Sequence, residues 1–168
     1  MRPTPGDPDA WNAYLAEGNA KQARKRVAAD VLLRDPLGRV LLVNPTYKPG
    51  WDLPGGMAEA NEPPEHTVVR ELREELGLEI TLSGLLVVDW VPPHGPWDDQ
   101  VAFVFDGGTL HTVEELLPRD EELSEARFVS VGKARELLPQ RMRNRLSEAL
   151  AAASRGRPVY LHDGHTAW

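Results

Sequence analysis

Glu71, Glu74 and Glu75 lie within five residues of one another in the stretch RELREELGL, a short way past the paired glycines Gly55-Gly56. Like charges three and four apart on a helix repel one another, so gathering them requires a reason. At 100° per residue, Val68, Val69, Leu72 and Leu76 share an arc of roughly 100°, which is the stripe a helix buries. The three carboxylates fall in a second arc beside it, at the border of the buried stripe and partly shielded from water. Arg70, one turn before Glu74, can brace that carboxylate but cannot neutralise three acids. The ordinary reading of a Glu-rich face is solvation. It is weakened here because the acids are not interleaved with Lys at i+4 and lie beside the apolar stripe, not opposite it. They also follow a turn whose bare backbone carbonyls can approach a ligand. Closely spaced oxygen donors are what hard divalent cations take, and carboxylates with a backbone carbonyl suit Mg²⁺ or Mn²⁺.

The acids need a helix to hold them, and its ends are legible. Pro63 and Pro64 fit a first turn, where a missing N–H costs nothing. Asn61 or Glu62 stands just ahead, and Gly77 is a typical C-terminal stop. Upstream, residues 1–8 read as a Pro-rich arm and 9–24 as a short helix with Gly18 a weak point. Val27–Leu33 and Val40–Val43 flank Asp35–Gly38 as a β-hairpin. After a loop at 44–50, Trp51–Leu53 reads as a short strand stopped by Pro54 and the glycines. Downstream, 80–91 predicts one long strand or two around Gly84, followed by a loop at 92–99 and a strand at 100–106. Gly107-Gly108 then separates it from a further strand at 109–113. A last strand at 126–131, helices at about 132–138 and 140–153, and a tail at 154–168 complete the chain. Strands mix with helices without a βαβ repeat, which predicts an α+β fold with a mixed sheet between helices.

The chain has 168 residues, enough for one domain, and a hydrophobic fraction of 41% with five Trp supplies a core. The net charge of −7 argues against a general nucleic-acid binder, which needs a basic surface. It leaves room for a small anionic substrate held through a metal ion. There is no cysteine, so disulfides and thiolate sites are excluded. No apolar run reaches membrane-spanning length. The start, MRPTPGDPDAW, lacks the apolar core of a signal peptide, so a cytoplasmic location is the expectation.

The spacing Gly56, five residues, Glu62, seven residues, then Arg70-Glu71-Leu72-Arg73-Glu74-Glu75-Leu76-Gly77-Leu78 resembles the Nudix box at every defined position, over 23 of the 168 residues. The surrounding order of elements is also similar to the Nudix hydrolase family (MutT-like). The resemblance implies a Nudix α/β/α sandwich with a mixed β-sheet, occupying residues 25–153 between an N-terminal arm and short helix (1–24) and a C-terminal tail (154–168). It implies hydrolysis of a diphosphate linked to another group, usually a nucleoside diphosphate derivative or nucleoside triphosphate, with Mg²⁺ or Mn²⁺. By the same resemblance Glu74 and Glu75 are metal ligands and Glu71 is a ligand or the general base. Gly56 offers its carbonyl, Arg70 orients the glutamates, and Glu62 holds the loop against the helix. The implied partner is a small diphosphate, with neither nucleic acid nor membrane involved.

Weaker signals lie outside the box. Family members often add an acid from a loop, and RDEELSEARFV offers Asp120, Glu121, Glu122 and Glu125. Glu122, six residues before Phe128, resembles the usual placement and is chosen as the extra metal ligand; a solvated acidic turn is the plain alternative. Trp90 and Trp97, with Pro93 and His94, could line a pocket for the organic group, although packing accounts for a Trp-Pro loop equally simply. Arg26 and Lys48 are chosen from the nearby basic groups for outer phosphates. Two other functions stand beside the main one. One is hydrolysis of a non-nucleotide (for example prenyl) diphosphate. The other is use of the domain as a ligand-sensing module, which loss of a box glutamate would mark, and none is lost. The tail carries Val159, Tyr160, Leu161 and Trp168, and is expected to dock on its own domain or on a partner subunit in a homodimer.

Overall fold

In the computed structural model, residues 2–111 and 116–168 are described. Along the chain run α1 (Pro8–Ala20), β1 (Arg26–Arg34), β2 (Val40–Pro45), β3 (Gly55–Met57), α2 (Pro64–Leu76), β4 (Gly84–Val91), β5 (Gln100–Thr109) and β6 (Leu123–Val129). They are followed by α3 (Val131–Leu137), α4 (Gln140–Arg155), β7 (Val159–His162) and β8 (His165–Thr166). β1 is buried at every position from Ala28 to Leu33, so it needs cover on both faces. It forms the expected hairpin with β2 and pairs in parallel with β5. The sheet runs β6-β2-β1-β5-β4-β7-β8, with β3 also paired to β1. Parallel and antiparallel pairs both occur, so the sheet is mixed and the fold is α+β.

Alternation along the strands divides the core in two. Leu32, Val40, Leu42, Val87 and Val104 pack with Ala134, Leu146, Ala149 and Ala152 of α3 and α4. Ala29, Val31, Leu33, Leu41 and Val43 pack with Val68, Leu72 and Leu76 of α2. The apolar stripe expected on the acidic helix is therefore the one it buries. Gly77 ends α2 in the left-handed conformation, φ 65°, as expected of a C-terminal glycine.

Several expected elements differ. Trp51–Leu53 is not a strand; Asp52 makes a single bridge to Val43, and the strand lies one step later on the glycines themselves. Gly55 has φ 149°, and a Cβ there would overlap the Ala29 carbonyl oxygen. The glycines permit the close approach to β1 that the sequence reading took for a stop. Likewise β5 continues through Gly107-Gly108 to Thr109, so there is no separate strand beginning at 109, and residues 112–113 lie outside the described ones. β4 begins only at Gly84. β6 starts at Leu123 and stops at Val129, and it is not the last strand, because the tail supplies two more.

The tail is built into the sheet. Leu161 is fully buried, and β7 pairs with β4 from Val87 to Trp90. Buried Asp89 accepts from Arg145 Nη2 at 2.8 Å and from the Gly164 N–H at 3.0 Å, so one carboxylate ties β4, α4 and the β7–β8 turn together. Arg145 Nη1 reaches Asp30 at 3.4 Å. By contrast, no residue of α1 is buried. Among the described residues no helix is long and apolar enough to cross a membrane.

Candidate functional site

The pairing of β3 with β1 sets Gly56 opposite Ala29, under α2. The Glu71 carboxylate lies directly on Gly56, in the space a Cβ would fill. Glu62 precedes the helix and accepts from Arg70 Nε at 2.8 Å and Nη2 at 3.0 Å, from Thr67 Oγ1 at 2.8 Å, and from the Glu59 N–H at 2.9 Å. Those donors, Arg70 first, hold its carboxyl down at about 2. Asn61, at φ 62°, turns the chain into this arrangement. Arg70 also donates to Glu71 at 3.0 Å, to Glu74 at 3.2 Å and to the Met57 carbonyl at 3.2 Å. One guanidinium thus links loop, strand and helix, and orients two of the three box glutamates.

Glu75 is different. It is 4% exposed, and its Oε2 is buried with no hydrogen-bond partner. Burial, and then the charges of Glu71, Asp120, Glu122 and Glu74, push its carboxyl up to about 8. Glu71 is raised too, by burial first, with Arg70 opposing. A buried oxygen without a donor is costly, a cost that a bound proton or a cation relieves. Glu74, more exposed, completes an all-oxygen donor set with Glu71, Glu75 and the backbone at Gly56, which fits a hard divalent cation. Among the described residues no three His, Asp or Glu side chains are drawn together as a finished cage; Arg70 engages Glu71 and Glu74.

The loop before β6 brings acids to this end of α2. Glu122 acts on Glu71, Glu75 and Tyr47. Asp120 acts on Glu75 as well. Both were legible as acids in RDEE; their relative approach was not. Glu125 lies within β6 beside Arg127. Tyr47, which the sequence reading passed over, has its hydroxyl raised by partial burial first, with Lys48 opposing and Asp52, Glu75 and Glu122 adding to the rise.

Of the four residues expected at the substrate, three gather and one stands apart. The Trp90 indole N–H donates to Asp99 at 2.8 Å, and its ring meets His162 edge-on at 4.8 Å between centroids. Trp97 is 56% exposed and lies under the Arg26 guanidinium at 4.7 Å. Arg26 also donates to the Asp98 carbonyl and to Gln100, so it clamps the 92–99 loop. Lys48 pairs with Asp52 and does not join this group. A separate cavity, lined by Asp35, Leu37, Leu117 and Phe128 among others, contains no box residue.

A family model described as NUDIX domain matches residues 24–152. An ADP-ribose pyrophosphatase of Methanocaldococcus jannaschii is 31% identical over 114 residues, 66% of this chain and 65% of that protein. An 8-oxo-dGTP diphosphatase of Proteus vulgaris is 50% identical over 36 residues, 21% of this chain and 32% of that protein. The chain therefore spans less than two thirds of the length of these curated relatives. Among solved structures, a MutT protein from Methanosarcina mazei Go1 superposes with a TM-score of 0.64 at 24% identity, covering 80% of this chain and 99% of that one. A UDP-X diphosphatase superposes with a TM-score of 0.69 at 18% identity, covering 92% and 75%. At these identities the two structures speak to the fold alone.

Proposed function

The chain belongs to the NUDIX family, and on that premise we propose that it is a divalent-metal-dependent pyrophosphohydrolase acting on a nucleoside diphosphate derivative or nucleoside triphosphate. The observation that carries the reading is Glu75, a buried carboxylate whose free oxygen faces further acids on the box helix. Mg²⁺ or Mn²⁺, when bound, would neutralise diphosphate charge and make a bound water acidic. Glu74, Glu75 and the Gly56 carbonyl would hold it, with Glu122 a further donor. Arg70 keeps Glu71 and Glu74 oriented, and Glu71, lying on Gly56, is the carboxylate that would take a proton from water. The Trp90–Trp97 region would receive the organic end of the substrate, with Arg26 and Lys48, the latter by exchange from Asp52, for outer phosphates. A cytoplasmic setting is part of the same proposal.

The names of the curated relatives, an ADP-ribose pyrophosphatase and an 8-oxo-dGTP diphosphatase, support a nucleotide substrate. The test is a panel of nucleoside and non-nucleoside diphosphate compounds incubated with Mg²⁺ or Mn²⁺, with phosphate read after phosphatase coupling. Turnover of at least one nucleotide is expected, lost in EDTA. Glu75→Gln is expected to lower kcat by roughly 10²–10⁴. Undiminished activity in EDTA, or full turnover by Glu75→Gln, contradicts the metal assignment; turnover of prenyl diphosphates alone contradicts the substrate class.

A further inference from the structure

The last carbonyls of a helix lack intrahelical partners. At the end of α2, Gly77 donates to the Arg73 carbonyl at 3.0 Å and Leu78 to that of Leu72 at 3.1 Å. The Glu75 carbonyl is taken from outside the helix, by the backbone N–H of Arg119 at 2.7 Å. The Arg119 guanidinium lies flat against Gly77, where a Cβ would overlap Cζ, Nε and Nη2. A cation at a helix C-terminus is favourable, and a planar one can lie on a residue that has no side chain.

The far end of the same loop is held separately. Thr46 N–H donates to the Glu122 carbonyl at 2.8 Å, and its hydroxyl donates to that of Glu121 at 2.7 Å. Asp120 accepts from the Glu122 N–H at 3.0 Å, closing the turn between the two anchors. The acids of this turn face a helix that already carries three, so repulsion would swing the loop away unless something fixed it.

We propose that Arg119 is a positioning residue: its guanidinium, lying on Gly77 beside the cap that its backbone N–H gives α2, locks the Asp120–Glu122 turn against Glu75 and completes the acidic cluster. This rests on the hydrolase reading above. Arg119 itself touches neither substrate nor reacting atoms; it acts through Asp120 and Glu122.

The experiment compares Arg119→Ala, Arg119→Lys, Asp120→Asn and the Arg119→Ala/Asp120→Asn double variant. Mn²⁺ binding without substrate is read by electron paramagnetic resonance, and kcat, KM and melting temperature are measured beside it. Arg119→Ala is expected to weaken Mn²⁺ binding and lower kcat, each by about tenfold, as loss of a residue supporting metal ligands does. KM should stay within about twofold, since substrate contacts are untouched. Arg119→Lys should recover part of both losses. In the Asp120→Asn background, Arg119→Ala should add less than about twofold, because the two act through one turn. A folded Arg119→Ala with unchanged Mn²⁺ affinity and kcat overturns the proposal, as do fully multiplicative effects of the two substitutions. Should Arg119→Ala fail to fold, the same comparison with Arg119→Lys decides. Glu75→Gln separates the two readings. If it abolishes Mn²⁺ binding and turnover while Arg119→Ala is silent, only the positioning role fails; if it is itself silent, the assignment of Glu75 to the metal fails, and the positioning role with it; if the unaltered protein turns over no diphosphate, the hydrolase reading fails.

Discussion

Glu75 and Glu62 titrate in opposite directions for reasons visible in their surroundings. Glu62 accepts four hydrogen bonds, led by those of Arg70, and is held at about 2. Glu75 is buried among like charges and stands at about 8, against an ordinary value of 4.5. Asp30 is raised to about 7, by burial and then by Asp52, with Arg145 opposing. A carboxyl raised on folding binds its proton more tightly in the native state, so stability is lost as pH rises from the unfolded value through the folded one. A carboxyl lowered on folding gives stability above its unfolded value that is lost as pH falls. In EDTA, the melting temperature should therefore fall between about pH 5 and pH 8, with Asp30 and Glu75 contributing, and fall again below about pH 4 as Glu62 takes up its proton. Glu75→Gln should flatten the upper slope and raise the melting temperature at about pH 8. Scanning calorimetry across pH checks this, and an unaltered upper slope in Glu75→Gln would count against its buried charge.

Among the elements, β7 and β8 have the most testable part. They extend the sheet beyond β4 and satisfy Asp89, which is otherwise a fully buried carboxylate on Arg145 alone. Removing residues 157–168 exposes the face Leu161 covers and removes the Gly164 donor. The expected cost is about 3 kcal/mol or more, the sum of one buried leucine and one hydrogen bond to a charged group. Urea denaturation of the truncated protein measures it. Stability within error of the full chain would mean that the tail is passive. Trp90 should report the same event, because its ring loses His162, and its fluorescence should shift toward that of an exposed indole.

In the molecule as a whole, α1 stands outside both cores. With no residue buried, its contacts are local: Trp11 stacks on Tyr14, the Arg2 guanidinium lies over both rings, Glu17 pairs with Lys21 and Asp7 caps its start. Deleting residues 2–21 should change the unfolding free energy by less than about 0.5 kcal/mol, as for surface changes. A larger loss, together with a fall in mass by light scattering, would show that α1 packs on a second subunit. The tail, docked on its own sheet, does not call for a homodimer. The frame of the site was legible in the sequence: the helix from Pro64 to Gly77, its buried stripe and the β1–β2 hairpin all follow from local rules of periodicity, capping and turn formation. The mixed α+β sheet was legible as a class, since strands and helices alternate without a βαβ repeat. Partnership between distant segments was decided by tertiary structure. Gly55-Gly56 read as a stop, yet serve as a strand, because only the approach of Ala29 reveals why a side chain is excluded there. The tail read as a tail because β7 pairs with β4, about 70 residues earlier, and β8 only with β7, and no local pattern encodes that register. Glu122 was singled out among the acids of its turn and Asp120 was not; that both act on Glu75 follows from anchors between segments far apart in the chain, the Arg119 N–H on the Glu75 carbonyl and Thr46 on the carbonyls of Glu121 and Glu122.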